Sequence, residues 1–104
     1  LAFQNDALRI LAIYNDATNE LQISRTNGGP ADGRALELWG IVEGENPISI
    51  GLLPNAANGT LGLPEILVSA LDGLTLAISD EPQGGSPTGQ PTGDVLAAAQ
   101  ISRI

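Results

Sequence analysis

The sequence has no cysteine, no histidine, no methionine and no lysine. Without Cys there is no disulfide and no thiolate chemistry. Without His the commonest general base and the commonest metal ligand are missing. Ser-His-Asp, Cys-His and zinc sites are therefore excluded within this chain. The missing Met, initiator included, predicts a segment trimmed from a longer protein. Basic charge is scarce too: four arginines, Arg9, Arg25, Arg34 and Arg103, stand against twelve Asp and Glu, for a net charge of −8. Scattered in this way they form no basic patch for a phosphate backbone, so no nucleic-acid partner is expected. An anionic membrane surface would repel the chain. The longest apolar runs, Ile10 to Tyr14 among them, are five residues, against roughly 20 for a bilayer span. No signal peptide is visible.

What is present fits one folded domain over residues 1–104. The chain is 42% apolar, too much for a disordered acidic segment. Thirteen Gly and seven Pro separate short apolar runs, the pattern of short strands joined by tight turns. Leu1 to Asn5 reads as a first strand, with a turn near Asp6-Ala7. Leu8 to Asn15 reads as a strand covered on both faces, with Ile10, Ala12 and Tyr14 on one and Leu11 and Ile13 on the other. Asp16 to Asn19 is a turn cluster, and Glu20 to Ser24 alternates with Leu21 and Ile23 inward. Thr26 to Gly33 reads as a loop. Ala35 to Val42 follows as a strand, with Leu36, Leu38 and Val42 on one face and Glu37, Trp39 and Ile41 on the other. Ile48 to Leu53 pairs back, placing Ile48, Ile50 and Leu52 together. After a loop from Pro54 to Gly59, Thr60 to Leu63 is a short edge strand.

Pro64 to Leu71 is the single helical candidate, with Pro64 at the first helical position and Gly73 capping the end. Gly73 to Glu81 alternates, with Leu74, Leu76 and Ile78 inward and Thr75, Ala77 and Ser79 outward. Val95 to Ile101 closes the chain as a small-residue strand. The expected fold is all-β: a small antiparallel sandwich or partly closed barrel of about seven strands.

Carboxylates are the only strong acid/base groups. Asp80 with Glu81, or Glu43 with Glu45, could in principle serve glycoside hydrolysis. A solvated acidic rim is the simpler reading, and no enzyme activity is expected. Asn27 to Asp32 lacks the alternating ligands of a calcium loop. Asp16, Asn19 and Glu20 are explained by turn chemistry. Gly28-Gly29 and Gly84-Gly85 lack the spacing of a phosphate cradle. No metal or cofactor is therefore expected. Asn58-Gly59-Thr60 matches a glycosylation tripeptide but reads as a turn. Trp39, among apolar neighbours, reads as core, with a buried acceptor for its ring N–H.

The segment Glu81-Pro82-Gln83-Gly84-Gly85-Ser86-Pro87-Thr88-Gly89-Gln90-Pro91-Thr92-Gly93 is different in kind. Pro-Thr-Gly occurs twice in it. Prolines fix φ and glycines permit positive φ, which predicts a defined series of turns. It reads as an ordered lap over one end of the sandwich, with a recognition loop as the other reading. Gly84 and Gly85 are expected in conformations that a Cβ would penalise.

Together with Leu36-Glu37-Leu38-Trp39, Ile50-Gly51-Leu52-Leu53 and Leu76-Ala77-Ile78-Ser79-Asp80, this loop resembles the C-terminal domain of bacterial anti-sigma-K factors of the RskA type. The family pattern is an LELW strand, a GLL strand and AVSLEPxGGSPTGxPTGPV. The likeness covers residues 34–101 well and residues 1–33 only in strand pattern. Asp80 and Asp94 depart from that pattern, each adding an exposed charge. The resemblance implies an extracytoplasmic (periplasmic-side) sensor domain of a single-pass, membrane-anchored anti-sigma factor. It implies a sigma factor bound only through a missing N-terminal region and a membrane contact only through a missing upstream helix. A site-1-type protease or sensor partner would act on it, and regulated proteolysis would release the sigma factor. The implied site residues are Leu36, Glu37, Leu38 and Trp39, with Glu81, Pro82, Gly84, Gly85, Ser86, Pro87, Thr88, Gly89, Pro91, Thr92 and Gly93 in a structural or recognition loop. A small-ligand-binding β-sandwich, with Trp39 and the loop near its pocket, is the alternative.

Overall fold

A computed structural model describes residues 2–4, 8–30, 32–53 and 56–100. Eight strands occur in chain order: β1 (Ala2–Gln4), β2 (Arg9–Asn15), β3 (Glu20–Asn27), β4 (Arg34–Ile41), β5 (Ile48–Leu52), β6 (Asn58–Gly62), β7 (Thr75–Pro82) and β8 (Val95–Gln100). One short helix, α1 (Glu65–Val68), precedes β7. The strands form two antiparallel four-stranded sheets, β1-β2-β3-β6 and β5-β4-β7-β8. The edges approach each other, β1 near β8 and β5 near β6, without joining. The fold is thus a sandwich and not a closed barrel.

Period-two alternation builds the core. Ile10 and Ala12 of β2 and Leu21 and Ile23 of β3 meet Leu36 and Leu38 of β4 and Leu76 and Ile78 of β7. The β2–β3 hairpin turns at Asn19, the one positive-φ residue among the described residues other than glycine. Its side-chain oxygen accepts from the Tyr14 hydroxyl at 2.5 Å, the turn chemistry expected there.

The helix closes one end with Leu63, Leu67 and Leu71 buried. It is shorter than expected. Pro64 is its N-cap, at ψ 144°, and the helix ends at Ser69. The Ser69 hydroxyl bonds the Glu65 carbonyl, a local alternative to continued helix. Gly73 (φ 80°) instead turns the chain into β7. Leu67 lies directly over Gly40, where any Cβ would collide with it.

Other expectations need correction. β2 is covered on one face only: Leu11 is 40% and Ile13 51% exposed, because no second layer among the described residues lies outside its sheet. β3 runs on to Asn27, paired with Arg9 across a bulge, so the following loop is shorter. β6 begins at Asn58, which places the Asn-Gly-Thr tripeptide in a strand, not a turn. A register shift between Leu38 and Trp39, with Gly51 at φ 140°, puts Leu52 opposite Glu37. Leu52 therefore leaves the face it was expected to share with Ile48 and Ile50. The turn near Asp6-Ala7, and the end residues Leu1, Asn5 and Ile101 of two expected strands, lie outside the described residues.

Candidate functional site

In β4 and β7, the residues between the core leucines point away from the core. Across the strand pair Glu37 faces Ser79, Trp39 faces Ala77, and Ala35 faces Glu81. An outer sheet face of this kind is normally wet. Here Glu37 is 7% exposed and Trp39, Ser79 and Glu81 are 0% exposed. The cover is the long connection from β7 to β8. It lies over the outer face of the β4–β7 pair and not across an end of the sandwich.

Two carboxylates hold this strap. Glu81 accepts from the Thr92 hydroxyl at 2.5 Å, from the Thr92 N–H at 3.1 Å and from the Gly93 N–H at 3.3 Å. The Ser79 hydroxyl also donates to Glu81, at 2.6 Å, and accepts from the Trp39 ring N–H at 2.8 Å. An indole, a hydroxyl and a carboxylate thus form one chain that ends on the second Pro-Thr-Gly. Glu37 holds the other half, accepting from the Ser86 N–H at 2.8 Å and the Ser49 hydroxyl at 2.5 Å. Among the described residues no buried side-chain polar atom lacks a partner, the condition under which a buried polar network specifies one arrangement.

The strap is also folded on itself. Ser86 donates its hydroxyl to the Gln90 carbonyl, and the Thr88 hydroxyl reaches the same oxygen at 3.2 Å. Gln90 crosses to the Pro47 carbonyl in the β4–β5 turn at 3.2 Å. Gly84, Gly85 and Gly89 have φ of 93°, 98° and 78°, which L side chains rarely adopt. At Gly85 a Cβ would sit 3.1 Å from the Glu37 carboxylate. Gly93 is required by proximity: a Cβ there would overlap the Asp80 carbonyl oxygen.

Burial pushes the Glu81 carboxyl upward, but the donors from Ser79, Thr92 and Gly93 together outweigh it and leave its pKa lowered. The carboxylate is therefore held in its charged, accepting form. Asp80 and Glu81 point to opposite faces and share no cleft. Asp80 pairs with Arg34 at 3.0 Å and is not the isolated surface charge its departure from the family pattern suggested. Glu43 and Glu45 are exposed in the β4–β5 turn.

The structure brings Glu37, Trp39, Glu81, Ser86, Thr92 and Gly93 into this one assembly, and it sets Leu36 and Leu38 in the core instead. Trp39 is buried as expected, but beneath the strap and outside the inter-sheet core. Ser49 and Ser79 were not anticipated. Their signal was available: Glu37, Trp39, Ser79 and Glu81 share one face by alternation, and a tryptophan between two acids needs a cover.

A family model described as anti-sigma-K factor rskA, C-terminal, matches residues 2–95. The match extends across the first three strands, where the sequence showed only a strand pattern. No curated protein and no solved structure matches the chain. The chain belongs to the family of anti-sigma-K factor C-terminal domains. Its role is accordingly regulatory, and the family implies a sigma factor as partner.

Proposed function

We propose that residues 1–104 form one extracytoplasmic sensor domain of a membrane-anchored anti-sigma factor, which acts by staying folded until a signal exposes the protein to regulated proteolysis. The observation that carries this reading is the strap. The most distinctive motif of the chain is consumed in holding the fold closed, with its donors turned onto buried carboxylates. Such a segment couples local opening to loss of a large buried surface, Trp39 included. No helix among the described residues is long and apolar enough to cross a membrane; in this reading the anchor belongs to the full-length protein and not to these residues.

The test uses the full-length protein in its own bacterium. Glu81→Gln and Gly93→Val, which open the strap, should raise cleavage of the anti-sigma factor and transcription from sigma-dependent promoters. Unchanged cleavage in a variant whose domain is measurably destabilised would sink the proposal. The sigma factor is bound elsewhere in this reading, so the 104-residue chain alone should not retain it in a pull-down. Tight stoichiometric capture would contradict that.

A further inference from the structure

Two of the four arginines in this acidic chain meet at one cleft. It has a volume of 390 Å³ and opens beside the start of β4 and the end of β5. Arg25, Arg34, Leu36, Leu52, Leu53 and Gly84 are among its lining residues. The volume lies in the range of small-ligand sites, about 300–1,000 Å³. The cleft combines an apolar side, from the three leucines, with a cationic one.

The arginines are held in place. Arg34 donates through Nε to Asp80 at 3.0 Å and through Nη2 to the Asp80 carbonyl at 3.3 Å. These bonds orient the guanidinium and leave Nη1 for a further acceptor. The Arg25 guanidinium lies alongside Gly29, 3.7 Å from where a Cβ would stand, and its backbone N–H is bonded to Ala57. With five donors, a guanidinium serves several acceptors at once.

We infer that this cleft binds a carboxylate carried on a short apolar chain, with the carboxylate on Arg25 and Arg34 and the chain along Leu36, Leu52 and Leu53. Planar guanidinium forks match a carboxylate. A net charge of −8 disfavours a phosphate dianion more than a monoanion. An amine would meet two like charges, and an alcohol would form no charge-assisted bond of the ion-pair kind with a guanidinium. The inference goes beyond the regulatory reading and does not depend on it. Binding is measured on the 104-residue chain, proteolysis on the full-length protein.

The test is a proton–nitrogen NMR titration with hexanoate, hexanol, hexylamine and inorganic phosphate. Hexanoate should give saturable shifts at the amides of Leu36, Leu53 and Gly84 and at the arginine Nε–H signals. Hexanol and hexylamine should not. Arg25→Gln should weaken hexanoate binding at least about tenfold, as loss of a charge-assisted bond does. Gln83→Glu, which adds a negative charge to the cleft lining, should weaken it by a smaller factor. Equal binding of hexanol would reduce the cleft to an apolar groove and overturn the assignment. Displacement of hexanoate by phosphate at lower concentration, absence of saturable shifts, or undiminished binding in both variants would each do the same.

Discussion

The outer faces of the two sheets reverse what polarity alone suggests. On the β1-β2-β3-β6 sheet, Leu11 and Ile13 are apolar and exposed. On the β5-β4-β7-β8 sheet, Glu37, Ser79 and Glu81 are polar and buried. The strands have similar alternation; the difference lies in the connections. β2 and β3 are joined by a four-residue turn, which covers nothing. β7 and β8 are joined by residues 83–94, far more than a hairpin needs, and the surplus chain becomes a layer. Once water is excluded, each carboxylate must find donors, and the strap's own N–H and hydroxyl groups supply them.

The contrast is tested most severely at Trp39. Trp39→Ala removes the largest buried side chain beneath the strap and the donor to Ser79. A loss of about 3–5 kcal/mol is expected in urea unfolding. A loss under about 1 kcal/mol would mean the ring is exposed and the strap is not a cover.

Glu81→Gln should cost about 2–3 kcal/mol, because the amide turns donors toward the donors of Ser79, Thr92 and Gly93. Glu37→Gln, with fewer donors to disappoint, should cost less. If the two variants are equal and both near zero, the carboxylates do not hold the strap.

Acid should reproduce part of the Glu81 effect. Its folded-state pKa is lowered from the ordinary 4.5, so the unfolded chain binds the proton more readily. The stabilisation is fully present above that ordinary value and is lost as pH falls through it toward the folded-state value. Unfolding free energies measured between neutral pH and about pH 3 should decline more steeply for the natural chain than for Glu81→Gln. Identical slopes would remove Glu81 from the account.

Gly85→Val should cost at least about 1 kcal/mol, from positive φ and from contact with Glu37. The smallest effect belongs to the bare sheet. Ile13→Thr should change stability by less than about 0.5 kcal/mol, since its side chain already faces solvent. A larger loss would show that something covers this face.

Alternation made most of the core legible, because Leu21, Ile23, Leu36, Leu38, Leu76 and Ile78 each have one dry side whichever strands they meet. The same rule misplaced Leu52, since a bulge is a register event between strands. It also misread β2, where Leu11 and Ile13 look like a second buried face. Nothing in the strand itself says whether another layer lies above it. The strap motif stood out, and the positive φ at Gly84 and Gly85 followed from residue type. Its place over the β4–β7 face did not follow, nor did its attachment to Glu37.

Composition and order alone fixed the chemistry open to this protein: no thiol, imidazole or ammonium group, an acidic surface, short strands, and a rigid Pro-Thr-Gly segment. Those are properties of residues and of local backbone freedom, and they hold before any folding. Only the tertiary structure decided which carboxylates are buried and which are paired. That choice depends on donors brought from Ser86, Thr92 and Gly93, 49, 11 and 12 residues from their acceptors. A donor that distant becomes a neighbour only after β4 and β7 have paired and the strap has closed over them.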